Sequence, residues 1–183
     1  MSSSFDIAWN RTGLSEGGYV NDPRDSGGET NWGITKKVAR AHGYNGPMRN
    51  LSRERARAIG KKAYWDSLRL DSVAMLHQEL AFEIFDTGFN MGQDRVGRFL
   101  QRCLNGFNYH GRHYRDIIVD GNIGPGTLDA LRSLYSKRGD AAKPVMLNAM
   151  NCLQGTGYIE LVERRPKDED FLWGWFTHRV GIV

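Results

Sequence analysis

From residue 52 onward the apolar side chains recur at helical spacing in one segment after another, and a single stretch, residues 30–35, alternates as a strand does. That restricts the chain to a mainly α fold with one small β-hairpin. Ser52 is placed to cap a helix over residues 53–65, and Ser72 a second over 73–87 carrying Leu76, Leu80 and Phe85. A third covers residues 93–107. Thr127 is placed to cap a fourth, through Leu128, Leu131, Leu134 and Tyr135 to Gly139, and Pro144 falls in the first turn of a long helix bearing Val145, Met146, Ala149, Met150 and Leu153. The 183 residues suffice for one compact body or two small, closely packed units. No repeat, low-complexity tract or Pro/Ser-rich linker divides them, so a boundary near residue 92, separating 1–92 from 93–183, predicts an intimate contact.

The chemistry concentrates at residues 16–35, which read EGGYVNDPRDSGGETNWGIT. An apolar-periodic stretch over residues 5–14 predicts a helix that stops at Glu16, with Gly17 and Gly18 as the permissive backbone that ends it. Glu16 then sits in a last helical turn, where the helix end opposes an ionised carboxylate by about 0.3 to 1 kcal/mol. Further burial would raise its pKa toward that of a working general acid; the competing reading is a solvated surface glutamate. The turn signals at 21–24 and 26–28, followed by residues 30–35 with Trp32 and Ile34 on one alternating face, predict a small hairpin. It would hold Asp25 and Thr30 across a gap from Glu16. Two carboxyl groups facing each other in this way are the layout of glycoside hydrolysis, in which one protonates the leaving oxygen and the other activates water or attacks the sugar. An Asx-turn accounts for Asp25 equally well, and Thr30 also suits a plain strand position.

These residues resemble the signature of glycoside hydrolase family 108, the N-acetylmuramidase endolysins of bacteriophages and prophages. The likeness extends along nearly the whole chain: Asp120-Gly121-Asn122-Ile123-Gly124-Pro125-Gly126-Thr127 and Phe171-Leu172-Trp173-Gly174-Trp175-Phe176 resemble the predicted peptidoglycan-binding region that follows the catalytic part. The resemblance implies a lysozyme-like α+β fold, a muramidase part over residues 1–92 and a helical peptidoglycan-binding-like part over 93–183. It puts the family's catalytic glutamate on Glu16. The eight residues between Glu16 and Asp25 also resemble the Glu/Asp/Thr arrangement of the phage lysozymes. Thr30 departs from that arrangement, following Asp25 after four intervening residues instead of five.

A sugar cleft needs stacking surfaces and polar donors. Tyr19 and Trp32 flank the acidic loop, Tyr64 and Trp65 close a helix, and Asn90 stands in the polar, glycine-bearing run 86–92 that faces the cleft in related folds. Tyr19, Trp32 and Asn90 are the substrate-binding candidates, against the competing reading that such aromatics are core residues. The segment 120–125 reads locally as a loop before a helix. Trp173, Trp175 and Phe176 beside Arg179 fit a membrane surface or, more economically, a short helix packed on the core.

Lys and Arg number 25 against 21 Asp and Glu, a net charge of +4 that favours a polyanion such as peptidoglycan with its free peptide carboxylates, or simply serves solubility. No helix-turn-helix, zinc-finger or aromatic nucleic-acid motif accompanies it. Cys103 and Cys152 lack metal or redox spacing and read as buried thiols, while His110 and His113 fall in a loop. Neither a metal nor another cofactor is expected. The N-terminal residues lack a secretory signal and no run is apolar enough to span a bilayer, which predicts cytoplasmic synthesis without stable membrane insertion. The resemblance then implies release to the wall through a separate holin, as a monomer. The expected activity is hydrolysis of the β-1,4 bond between N-acetylmuramic acid and N-acetylglucosamine, with Glu16 as acid, Asp25 positioning or activating water and Thr30 assisting. A lytic transglycosylase, a non-catalytic wall-binding protein and a zinc amidase are the alternatives.

Overall fold

The computed structural model describes residues 2–13, 17–21 and 28–181. They fall into two compact units, Met1–Ser67 and Leu68–Val183.

In the first unit, α1 (Ser4–Arg11) opens with a capping box: the Asp6 backbone N–H donates to Ser3 Oγ at 3.2 Å, and the Ser3 N–H to the Asp6 carboxylate at 3.1 Å. Arg57 also bonds Asp6, and this pairing, foremost, holds the carboxyl down at about 2. Phe5, Ala8 and Trp9 share the buried face. The helix ends earlier than its apolar periodicity predicts. Thr12 caps it and Gly13 turns the chain at φ +69°, so the break falls at Thr12-Gly13 and not at Gly17-Gly18. Periodicity continued where a local left-handed glycine had already stopped the helix.

The hairpin pairs β1 (Thr30–Asn31) antiparallel with β2 (Ile34–Thr35). Its turn is Trp32-Gly33, at φ +52° and +73°, a two-residue connection with both central residues left-handed, which matches the twist of the strands it joins. The predicted alternation is therefore corrected. Residues 30–35 are the whole hairpin and not one arm, and Trp32 lies at its tip while Ile34 is fully buried. Thr35 caps α2 (Lys36–Ala41), accepting from the Val38 N–H at 3.3 Å. Ser52 caps α3 (Arg53–Gly60) as its spacing predicts, accepting from the Arg55 N–H. A wider i→i+5 turn, Lys61–Asp66, continues α3 and buries Ala63 and Trp65 together. Trp65 meets Phe5 edge-on at 5.7 Å, which makes it a core residue and not a sugar platform.

The second unit is helical: α4 (Leu70–Leu76), α5 (Gln78–Met91), α6 (Gln93–Phe107), α7 (Pro125–Arg138), α8 (Ala142–Arg164) and α9 (Glu169–His178). α5 packs on α4, α6 and α8, and α8 also carries α9. The helix expected over 73–87 is two helices. The chain enters α4 from Arg69 at φ +54° and breaks at the extended residue His77, so Ser72 caps nothing. α6 has the predicted bounds. α7 starts at Pro125 with Gly124 as its cap; Thr127 is buried inside it, its hydroxyl 3.3 Å from Asn122 O and from Gln101 Nε2. The 120–122 turn is fastened by buried Gln101, whose amide donates to Asp120 Oδ1 at 2.7 Å and accepts from the Gly121 N–H at 2.7 Å. Trp175 stacks on Tyr158 at 4.8 Å, whereas Trp173 of the same helix is 85% exposed. Cys103 is buried and its thiol pushed up to about 11, but Cys152 is exposed, contrary to the expectation of two buried thiols. No described helix is long and apolar enough to cross a membrane.

Candidate active site

The acidic segment is framed by backbone bonds. Val20 and Thr30 exchange N–H···O bonds of 2.8 and 2.9 Å, so the two ends of the intervening loop are held as an antiparallel bridge on the outer edge of the hairpin. The hairpin is fixed in turn to the short helical turn Met48–Asn50 and the residue after it. Buried Asn31 donates to Met48 O at 2.7 Å, and the Trp32 indole N–H to Leu51 O at 3.0 Å.

Three of the predicted site residues cluster on this frame. The Tyr19 hydroxyl donates to Glu29 Oε1 at 3.1 Å, and the Arg49 guanidinium lies 4.7 Å from the Tyr19 ring centre. Thr30 Oγ1 donates to Gly28 O at 3.0 Å. Its single proton is thereby committed to the backbone, and its lone pairs are what it has left to offer a water or a substrate hydroxyl. Trp32 stands at the tip. Glu16 and Asp25, the two predicted catalytic carboxyls, lie outside the described residues. α1 itself closes at Arg11, so the expected helix does not run on unbroken to residue 16.

Glu29 went unremarked in the sequence, hidden between a glycine pair and a strand. It bonds Lys36 at 3.0 Å, and that contact first, with help from Tyr19, lowers its pKa. It is held as a carboxylate and suits ordering the loop better than donating a proton.

Asn90 belongs to the second unit, in the last turn of α5, where its amide donates back to Asp86 O at 2.8 Å. The same helix holds a polar cluster of which the sequence marked only Asp86 and Thr87, as part of the run 86–92, and not Glu83. Burial pushes the Glu83 carboxyl up to about 7 against a 2.7 Å bond donated by the Thr87 hydroxyl, with the Asp86 charge adding to the rise. Asp86 is also raised by burial, although Arg179 bonds it at 2.7 Å. Gln154 of α8 donates to Thr87 Oγ1 at 2.8 Å, while Gln154 Oε1 and the Tyr158 hydroxyl are buried without hydrogen-bond partners among the described residues. The available signal was Glu83, Asp86 and Thr87 at helical spacing inside an otherwise apolar run. Among the described residues, no three His, Cys, Asp or Glu side chains come together as metal ligands.

On this mainly α, lysozyme-like fold with its small hairpin, residues 5–92 match the model of a glycoside hydrolase family, which supports a glycoside hydrolase. The family matched over residues 5–92 is the one described as glycosyl hydrolase 108, and residues 96–180 match the predicted peptidoglycan domain. The pairing supports peptidoglycan as the substrate. The fold is shared with the solved structure of Brucella abortus SagA, at a TM-score of 0.69 and 23% identity, covering 94% of this chain and 87% of that one. Comparison with curated proteins gives no match.

Proposed function

We propose that the chain is an N-acetylmuramidase that hydrolyses the β-1,4 bond between N-acetylmuramic acid and N-acetylglucosamine. Glu16 protonates the glycosidic oxygen. Asp25 positions or activates the water, and Thr30, its own proton engaged by Gly28 O, orients that water as an acceptor. Carboxyl groups about 6.5–9.5 Å apart would make the reaction inverting. The observation that carries the reading is the family match over residues 5–92, a span that includes the loop whose two flanks are bonded to each other at Val20 and Thr30.

Replacing Glu16 by Gln removes the donated proton and keeps the side chain's shape. Release of reducing muramic ends from purified sacculi should fall roughly 10²- to 10⁴-fold. Undiminished release would end the assignment, and anhydro-muramic ends from the parent would convert the enzyme to a transglycosylase.

The reading extends to an endolysin made in the cytoplasm of a host and released through a holin pore. Expressed alone in a bacterium the chain should leave the culture intact, and together with a holin it should clear it within the holin's own triggering time. Clearing without the holin would remove that part of the proposal.

A further inference from the structure

We propose that the loop after α6 and the groove beside it form a binding site for the peptide stem of peptidoglycan, taking the stem's free carboxylate at one end and its alanine methyl groups at the other. The proposal rests on the reading that the chain acts on bacterial wall.

The groove has two adjoining parts. One, of about 550 Å³, is lined by Asn105, Asn108, Tyr109, Arg115, Asp116 and Arg138, among others. The second, of about 410 Å³, shares Phe107 and Arg138 with it and is otherwise apolar: Leu134, Ala141, Ala142 and Val145. Val145 is 51% exposed in the middle of this lining.

Charge separates the two parts. Arg98, Arg132, Arg164, Arg165 and Arg179 of the same unit each have a carboxylate partner. Among the described residues, Arg115, Arg138 and neighbouring Arg112 have no ion-pair partner, as is also true of Arg69, Arg95 and Arg102, but here they gather on one groove, Arg112 and Arg138 lying 4.8 and 5.9 Å from the ring centre of Tyr109. Asp116, the acid in the lining, already accepts a bond from Asn108. The polar half therefore carries two guanidinium groups against the one carboxylate of Asp116, a net positive lining that suits a further carboxylate by charge and by fork geometry.

The loop is also built in a conformation that local preferences resist. Tyr109, His110 and Gly111 lie consecutively at φ +56°, +56° and +76°, a region that side-chain-bearing residues rarely enter. Buried Asn108 holds them there, accepting from the Gly111 N–H at its side chain (3.0 Å) and from the His113 N–H at its carbonyl (3.1 Å). Asn105 exchanges bonds of 2.8 and 2.9 Å with Ile117 further along, and the Tyr114 hydroxyl donates to Leu104 O at 2.8 Å. The effect is to keep Tyr109 half exposed over the pocket with the arginines around it, a preorganised surface rather than a slack connection.

The glycan offers the apolar half only the isolated methyls of its N-acetyl and lactyl groups, set among ring hydroxyls. A stem ending in alanine residues offers consecutive methyl groups next to a carboxylate, matching an apolar part that adjoins a cationic one.

The test is an amide NMR titration of the full chain with the synthetic pentapeptide L-Ala-γ-D-Glu-L-Lys-D-Ala-D-Ala. Shifts are expected at Tyr109, His110, Gly111 and Val145. Affinity should fall at least about tenfold in the Arg115→Ala/Arg138→Ala double variant, and similarly for the native chain with the C-terminally amidated peptide, which keeps the measurement valid should the variant fail to fold. Val145→Asp should weaken binding as well. Peptide-free glycan strands, which carry free lactyl carboxylates, distinguish the other source of the same chemistry. Perturbation of the loop by those strands and not by the peptide overturns the proposal, as does peptide binding that is unchanged in the double variant or centred elsewhere. Product analysis on sacculi is independent of it. A chain that releases reducing ends but ignores the peptide loses this site alone, and one that binds the peptide but releases none loses the hydrolase reading alone.

Discussion

At the scale of single residues the site depends on small side chains that close backbone accounts. Asn31 is 3% exposed and bonds Met48 O at 2.7 Å, so it ties the hairpin to the turn beneath it. An Asn31→Leu substitution would strip that carbonyl of one of its two donors, leaving only the Leu51 N–H at 3.1 Å. It should cost about 0.5–1.5 kcal/mol, read as a lower urea midpoint at unchanged slope. The sequence announced a hairpin near Asn31 but not its turn. A Trp-Gly pair is not the Asn-Gly that advertises a two-residue connection, and Trp32 is held left-handed by a bond to Leu51 O, 19 residues away. Tyr19 and Thr30 were legible as neighbours of the acidic loop because they flank it in sequence. Glu29 was not, since its role depends on reaching Lys36 and Tyr19 at once.

At the scale of elements, local chemistry marked the ends that local chemistry sets. Ser52 caps α3, Gly139 ends α7 at φ +64°, and Pro144 lies in the first turn of α8. The failures are tertiary. His77 interrupts what reads as one continuous helix, and its ring nitrogen meets the Tyr135 hydroxyl at 2.8 Å, a contact 58 residues away in the chain that no spacing reveals. α6 gives a sharp test of how closely its neighbours approach. A Cβ on Gly97 would lie 1.9 Å from the Gly121 carbonyl oxygen, whereas one on Gly106 meets nothing within 4 Å. Gly97→Ala must therefore push away the 120–122 turn that Gln101 fastens, at about 1–3 kcal/mol or more, while Gly106→Ala should stabilise the helix by about 0.5–1 kcal/mol. Thermal unfolding of the two variants should move in opposite directions. A shift of the same sign in both would contradict the close approach.

Across the whole molecule, stability against pH combines groups whose shifts have opposite signs. Asp6, held at about 2 by Arg57 and Ser3, favours the folded state above the ordinary carboxyl range, and that favour is lost as pH falls toward 2. His77, whose pKa burial lowers, costs stability as pH drops below about 6.5, because the unfolded ring takes up a proton that the folded one resists. Glu83 acts the other way. Its folded pKa of about 7 lies above the 4.5 of the free carboxyl, so between these values the folded state binds more protons than the unfolded chain. Stability then falls as pH rises through that window and stays low above it. Glu83→Gln keeps an acceptor for Thr87 and never ionises. It should match the parent near pH 4.5 and exceed it at pH 8 by on the order of 1–3 kcal/mol, the upper end corresponding to the full shift and the lower to partial solvent screening. Urea midpoints of parent and variant at the two pH values read this difference directly. Parallel displacement at both would show that the titrating group is elsewhere, since a neutral side chain at position 83 can remove only the slope that its own carboxyl creates.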